Sequence, residues 1–508
     1  MRYRKKIKPL LELSELLEPL RSKGKKIIHC HGVFDLLHVG HIRYFEHAKK
    51  LGEVLVVTLT QDHNVNKGPN RPAFAENLRA EALAALDCVD YVAINQWPTA
   101  VETIKLLKPD FYVKGSDYKC SKDDITGKII DESEAVQSIG GEIRFTEDIT
   151  FSSSQLINRV IPSFDEETNR YLNDFRRKYS SVDIVNEVEK LRNLKVLVIG
   201  EAIIDEYVYC ESMGKSGKES VLVMKYLSKE RYAGGAIAIA NHLAGFCSSV
   251  SLACYLGTEK TEEDFIKGSL KTNVDPLFVY KTESPTIVKR RFLDNYSLAK
   301  LLGVYSLNDE QLHQDEENML CNILGERLPE YDVVIVADYD HGLLTTKVID
   351  LLTEKSKFLA VNTQINAANM GFHTISKYAR ADYVCIHEGE IRLDKRSRKG
   401  DLKGLIRDLA SRMGDPSIMI TRGSNGSLFY CKDEGFNFCP AFAVKIVDRV
   451  GAGDAVLALT SVMSADSIPA DVISFVGNLV GADAVSIVGN KRAIDKVKLM
   501  KSITSLMK

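Results

Sequence analysis

The chain has 508 residues, 45% of them hydrophobic and 27% charged, which is an ordinary globular composition and too long for one core, so two domains are expected. A net charge of −2 provides no overall basic field and argues against a nucleic-acid binder. Ten cysteines scattered from Cys30 without a CxxC pair read as buried free thiols rather than a disulfide framework, and no apolar run approaches a membrane span.

In chain order, the basic N-terminus "MRYRKKIKPLLELSELLEPLRSKGKK" lacks the continuous apolar core of a signal peptide, so a soluble cytoplasmic protein is expected. "GKKIIHCHGVFD" then predicts the first buried strand of a parallel sheet. Strands at "VLVVTLT", "VDYVAI" and "DFYVKG" alternate with helices at "AENLRAEALAAL" and "TAVETIKLLKP", the pattern of a small doubly wound sheet. Residues 165–194 are polar, charged and without glycine, which predicts a helical connector between a domain over 1–164 and a second over 195–508. The second opens on "NLKVLVIGEAIIDEY", turns β-rich from Val208 to Tyr232, and continues as an α/β series with strand ends at "DVVIVADYD", "FLAVNTQ", "DYVCIHEGE" and "SIMITRG".

In "IIHCHGVFDLLHVGHIRYF" a strand passes through a glycine turn into a helix, whose unpaired N–H groups favour phosphate. His38 and His41 fall one turn apart and Gly40 leaves room for a ligand. Zinc binding is the competing reading, with His29 and His31 as further ligands, but no third ligand lies at a helical spacing nearby. Taken alone, Lys67 is an ordinary solvated loop lysine, Arg79 the exposed face of its helix, and Ser152 to Ser154 a helix cap.

The full HGVFDxxHxGH string resembles the nucleotidyltransferases, most closely the adenylyltransferase half of the bifunctional heptose kinase/adenylyltransferases. "KGPNRPAF", "NLRAEALAALDCVDYV", "LKPDFYVKGSDY" and "ITFSSSQLINRV" extend the resemblance over roughly Lys26 to Val160. It implies that His38 and His41 hold a triphosphate and its transition state, that Lys67 neutralises the leaving phosphates, and that Asp35 supports the loop or Mg²⁺. It further implies phosphate contacts from Ser152, Ser153 and Ser154, and nucleotide or sugar-phosphate contacts from Gly32, Phe34, Gly40, Lys114 and Gly115. ATP is the expected nucleotide, with CTP the rival.

In "VDRVGAGDAVLALTSVM" small residues open an apolar helix, so backbone N–H groups can approach a phosphoryl group, and Asp454 lies where it can accept a proton. With "AGG" at Ala233–Gly235 and "TRGSNGSLF" from Thr421, this resembles the ribokinase/PfkB sugar kinases over roughly Lys195 to Ile494. The resemblance implies Asp454 as base, Gly451, Ala452 and Gly453 as anion hole, and Thr421 and Gly423 beside the nucleotide. Asp205, Gly234, Gly235, Lys289, Arg291, Asp338 and Gly342 would surround the sugar, and Glu390 would order Mg²⁺ through water. Several positions depart from the pattern: Ala238 for an asparagine, "KLL" at Lys300–Leu302, "NTQ" at Asn362–Gln364, His387, and Val450.

The sequence therefore predicts a Rossmann-like doubly wound nucleotidyltransferase domain followed by a ribokinase-like α/β domain, the reverse of the family's domain order. The expected function is a two-step sugar activation of the ADP-heptose type for surface polysaccharide. Its expected partners are a sugar phosphate and a nucleoside triphosphate, with Mg²⁺, no nucleic acid, no membrane, and a homodimer or higher homo-oligomer. The alternatives are a CTP-using transferase for another sugar or polyol phosphate, and an active transferase joined to a non-catalytic kinase-like domain.

Overall fold

The computed structural model describes residues 2–69, 71–115, 128–146, 164–367, 369–443 and 445–508. Contacts divide them into a unit of Met1–Leu172 with Val497–Lys508 and a unit of Asn173–Lys496. This differs from the expected division in two places. The 165–194 connector is two helices, Glu166–Lys178 and Ser181–Lys190, and the division falls inside the first. The segment from Val497 onward joins the first unit, because Leu499, Met500, Ile503 and Leu506 recur along one face of the helix Lys496–Leu506 and are buried.

In the first unit, β1 (Ile27–Gly32), β2 (Val54–Thr60), β3 (Tyr91–Asn95), β4 (Phe111–Lys114) and β5 (Glu142–Phe145) form one sheet in the order β3-β2-β1-β4-β5. Every pairing is parallel. Chain order reverses beside β1, so the end of β1 is the switch point where such sheets carry ligands. β2 is buried at every position, which is why its sequence is apolar at five of seven positions rather than alternating. Each buried Val or Leu there contributes roughly 1.5–3 kcal/mol.

The second unit has two sheets. The larger runs β10-β9-β6-β13-β14-β15-β16-β17-β18, built from β6 (Lys195–Gly200), β9 (Ser249–Gly257), β10 (Val274–Lys281), β13 (Val333–Asp338), β14 (Leu359–Thr363), β15 (Tyr383–His387), β16 (Ser417–Thr421), β17 (Ser427–Cys431) and β18 (Gly435–Cys439). Only its β16-β17-β18 edge is antiparallel. The smaller sheet, β12-β11-β7-β8, comprises β7 (Ala202–Lys215), β8 (Leu222–Gly235), β11 (Ile287–Asp294) and β12 (Lys300–Ser306). The β-rich stretch seen in the sequence is part of its β7-β8 hairpin; β11 and β12 join it from far along the chain. No described helix is long and apolar enough to cross a membrane.

Candidate active sites

In the first unit, β1 ends at Gly32 and the helix Val39–Lys49 begins one loop later. His38 is its N-cap, its Nδ1 accepting the Gly40 N–H at 3.1 Å. The His38 and His41 rings lie 4.0 Å apart between centroids. Phe34 is buried and meets His41 edge-on at 5.5 Å, so it fixes that imidazole from beneath rather than presenting a surface to a ligand. Burial, with His38 and Lys67 nearby, pushes His41 down to about 3, so its ring is neutral at physiological pH, and its Nδ1 is buried with no hydrogen-bond partner among the described residues. Burial also pushes the Lys67 ammonium down to about 8.

Asp35 is fully engaged by the loop that carries Lys67. It accepts the Ala73 N–H at 2.8 Å and the Phe74 N–H at 3.1 Å, and pairs with the Arg71 guanidinium at 3.2 Å. Its contacts are those of a loop support, leaving little of the carboxylate for a metal. Arg79 corrects the sequence expectation of an exposed helix face: it is 2% exposed. It donates to the carbonyls of Phe74 and Thr60, both at 2.9 Å, and to Asp62 Oδ1 at 2.6 Å, tying the Lys67 loop to the end of β2. A charged side chain on the inward face of a short helix carries no periodicity signal that separates it from a solvated one.

The Lys114 ammonium is paired with buried Glu132 at 2.8 Å, and Gly115 follows it at the end of β4. His29 and His31 both bond the Thr58 hydroxyl, at 2.7 and 2.8 Å, which accounts for them without a metal. Ser152, Ser153 and Ser154 lie outside the described residues.

In the second unit, Gly451 has φ +82° and caps the helix Ala452–Ala465. A Cβ there would collide with Asn490, whereas among the described residues nothing lies within 4 Å of a Cβ placed on Gly453. Asp454, in the first turn, is 7% exposed and accepts the Tyr339 hydroxyl at 2.8 Å. Burial raises its carboxyl to about 6, against the opposing pull of Tyr339 and Lys289.

Asp205 on β7 stands opposite Lys289 on β11, and its carboxylate pairs with Arg291 at 2.5 Å. A side chain at Gly234 would strike that carboxylate, which explains the glycine. Gly235 caps the next helix at φ +56°. Thr421 and Gly423 sit where β16 gives way to its turn, so they stand at the sheet's ligand-carrying end.

Asp338 is placed differently from its neighbours on the expected sugar shell. It is buried against the Tyr378 hydroxyl at 2.6 Å and the Lys377 ammonium at 2.7 Å, beside a cavity of about 230 Å³ that Gly342 also lines. With Asp340 and His373 it forms the one trio of potential metal ligands among the described residues, but Lys377 already supplies the cation. Glu390 accepts the N–H groups of Ile365 at 3.2 Å and His387 at 2.6 Å, and burial raises it to about 7.

Residues 193–489, more than half of the chain, match the pfkB carbohydrate kinases. The chain belongs to the pfkB family. Ahead of that domain, residues 29–187 match the cytidylyltransferase-like family. Over the N-terminal third the chain is 41% identical across 168 residues to a protein of Geobacter metallireducens named "Bifunctional protein HldE", covering 32% of each chain. It is 37% identical across 169 residues to the protein of that name from Syntrophotalea carbinolica, covering 33% of each. The chain thus spans about a third of the length of these curated relatives. Escherichia coli phosphofructokinase-2, solved in complex with potassium, superposes with a TM-score of 0.50 at 15% identity, covering 62% of this chain and all of that one, and so shares the fold.

Three of the positions that depart from the expected pattern make structural contacts here. Lys300 pairs with Asp448 at 2.6 Å, Asn362 bonds the Cys385 carbonyl at 2.7 Å across neighbouring strands, and His387 caps the next helix through Gly389 at 3.0 Å. Two pfkB-domain residues escaped the sequence reading. Tyr339 orients Asp454, and Glu201 is buried beneath it, accepting the Tyr339 and His341 N–H groups at 3.1 Å. The signal for both was position alone: each directly follows a strand of the central sheet.

Proposed function

We propose that the chain is a bifunctional enzyme that phosphorylates a sugar in its second unit and transfers a nucleotidyl group to a sugar phosphate in its first. The observation that carries this reading is that each unit sets its reactive groups at a helix N-terminus beside the ends of parallel strands: His38 and His41 in one, Asp454 in the other.

In the kinase step Asp454 takes the proton of a sugar hydroxyl as its oxygen attacks the γ-phosphorus of ATP and the bond to the bridging oxygen of ADP breaks. The N–H groups from Gly451 to Gly453 face the transferred phosphoryl group, and Asp205, Lys289 and Arg291 orient the sugar. In the transferase step a sugar-phosphate oxygen attacks the α-phosphorus and pyrophosphate departs. His38 and His41 stabilise the charge developing there, and Lys67 neutralises the leaving group.

Mg²⁺, when bound, would neutralise phosphate charge on the nucleotide. The second unit suits it: Glu390 and Asp454 are both raised by burial, so a nearby cation favours their charged forms. Glu390 would hold it through water.

ATP and a heptose phosphate are the substrates favoured by the similarity of the first unit to the HldE proteins, with an ADP-sugar for surface polysaccharide as product. A second copy of the chain is the expected partner, supported by the small sheet, which exposes Leu222, Tyr226, Leu302 and Val304. The test is ADP formation from ATP with heptose, hexose and polyol phosphates, abolished by Asp454→Asn, together with pyrophosphate release from four nucleoside triphosphates, abolished by His41→Ala. CTP-only release would change the product class. Sugar binding without ADP formation would leave the second unit as a binding module.

A further inference from the structure

Glu201, which directly follows β6, is 0% exposed, and among the described residues no lysine or arginine lies within ion-pair distance of its carboxyl group. Burial, and after it the Asp338 carboxylate, hold that group above the ordinary carboxyl range. A buried acid without a cation costs folding free energy that an apolar residue of its size would not. Stability therefore does not account for a glutamate here.

Its contacts do. One oxygen accepts the Tyr339 N–H and the other the His341 N–H, both at 3.1 Å. Asp340 lies between them at φ +59°, a left-handed backbone that costs a residue with a side chain free energy unless its surroundings hold it. The Tyr255 hydroxyl holds the same turn by donating to the His341 carbonyl at 2.9 Å. From this turn the Tyr339 hydroxyl reaches Asp454. The main chain of Glu201 is fixed separately. Its carbonyl accepts the Ala236 N–H at 3.1 Å, and a Cβ on Gly235 would come within 2.6 Å of that oxygen. Gly234, one residue earlier, lies against the Asp205 carboxylate. One residue thus meets the sugar side through its backbone and the base through its side chain.

We propose that Glu201 is a positioning residue for phosphoryl transfer, holding the left-handed turn that aims the Tyr339 hydroxyl at Asp454 and registering that base against the glycine turn beside Asp205. The inference rests on the kinase reading above and adds a residue that acts only through its neighbours.

The test is the pH profile of ADP formation by the full chain, with ATP and the same heptose, hexose and polyol phosphates. Glu201→Gln turns one acceptor oxygen into an N–H₂ group facing an N–H, which displaces the turn with little change in size. Its acid limb should lie higher, with kcat about tenfold lower at pH 5.5 and mostly recovered at pH 8. KM for the sugar phosphate should stay within about twofold, because Asp205, Lys289 and Arg291 are untouched. Tyr339→Phe should give the same profile, and the double variant should go no further than either single one. An unmoved or lower limb, a loss equal at every pH, additive effects in the double variant, or a Glu201→Gln chain that does not fold would each overturn the proposal.

A second readout needs no turnover. At pH 7.5 Asp454→Asn should raise the unfolding temperature further in Glu201→Gln than in the unaltered chain, because the carboxylate it removes has lost its hydroxyl partner. An equal rise in both backgrounds would contradict the positioning role. A chain that shows the larger rise but forms no ADP with any acceptor would sink the kinase reading alone.

Discussion

The Tyr339 hydroxyl donates to Asp454 Oδ1 at 2.8 Å, and both groups are buried. The bond favours the carboxylate, opposing the burial that raises Asp454 to about 6. Tyr339→Phe should therefore move the acid limb of the kinase pH profile upward. At pH 8 turnover should recover most of its unaltered value, because Asp454 is ionised there with or without the bond. A profile whose acid limb stays in place would show that Tyr339 only packs.

Asp454 also links activity to stability. Its folded-state value of about 6 exceeds its ordinary 3.8, so between those pH values the native state holds more protons than the unfolded chain. Stability contributed by the protonated form is complete below about 4 and lost as pH rises through 6. Asp454→Asn should thus abolish ADP formation while stabilising the protein at pH 7.5 by roughly 2–3 kcal/mol, with no gain at pH 4. Thermal unfolding at the two pH values reads this directly.

Lys67 lies close enough to neutrality to limit the transferase from the alkaline side. Its ammonium, held at about 8, loses its charge as pH rises through that value. The KM for nucleoside triphosphate should climb above pH 8 with kcat little affected. Lys67→Gln should start with a high KM and show no such climb.

Asp35 holds Arg71 and two backbone N–H groups of the Lys67 loop at once. Asp35→Ala removes a buried carboxylate partner of Arg71 and the acceptor of two loop N–H groups, at a cost on the order of 3 kcal/mol to the first unit. Pyrophosphate release should fall with it while ADP formation in the second unit persists. Retention of full transferase activity would show that the loop holds its shape without this carboxylate.

Much of the fold was legible because buried parallel strands announce themselves. "VLVVTLT" and "KVLVIG" are apolar at nearly every position and end at glycine or polar residues, and both are central strands. The small sheet was only half visible: β12, with "KLLGVYS", is exposed along its whole length and has neither a buried run nor a clean alternation. The closing helix was assigned with the kinase fold because sequence order says nothing about which core an apolar face enters. At the sites, small-residue motifs gave the positions of His38, His41 and Asp454. Tyr339, Glu201 and Arg79 were not legible in role, since their parts depend on what packs against them.

The most direct measurement is pyrophosphate release by the full chain from ATP, CTP, GTP and UTP, each with heptose 1-phosphate and with hexose and polyol phosphates, beside His41→Ala. Release from ATP with heptose 1-phosphate, falling about a hundredfold or more in His41→Ala, is the expected result. Release from no pairing, or release that His41→Ala leaves untouched, would contradict a nucleotidyl transfer centred on His38 and His41.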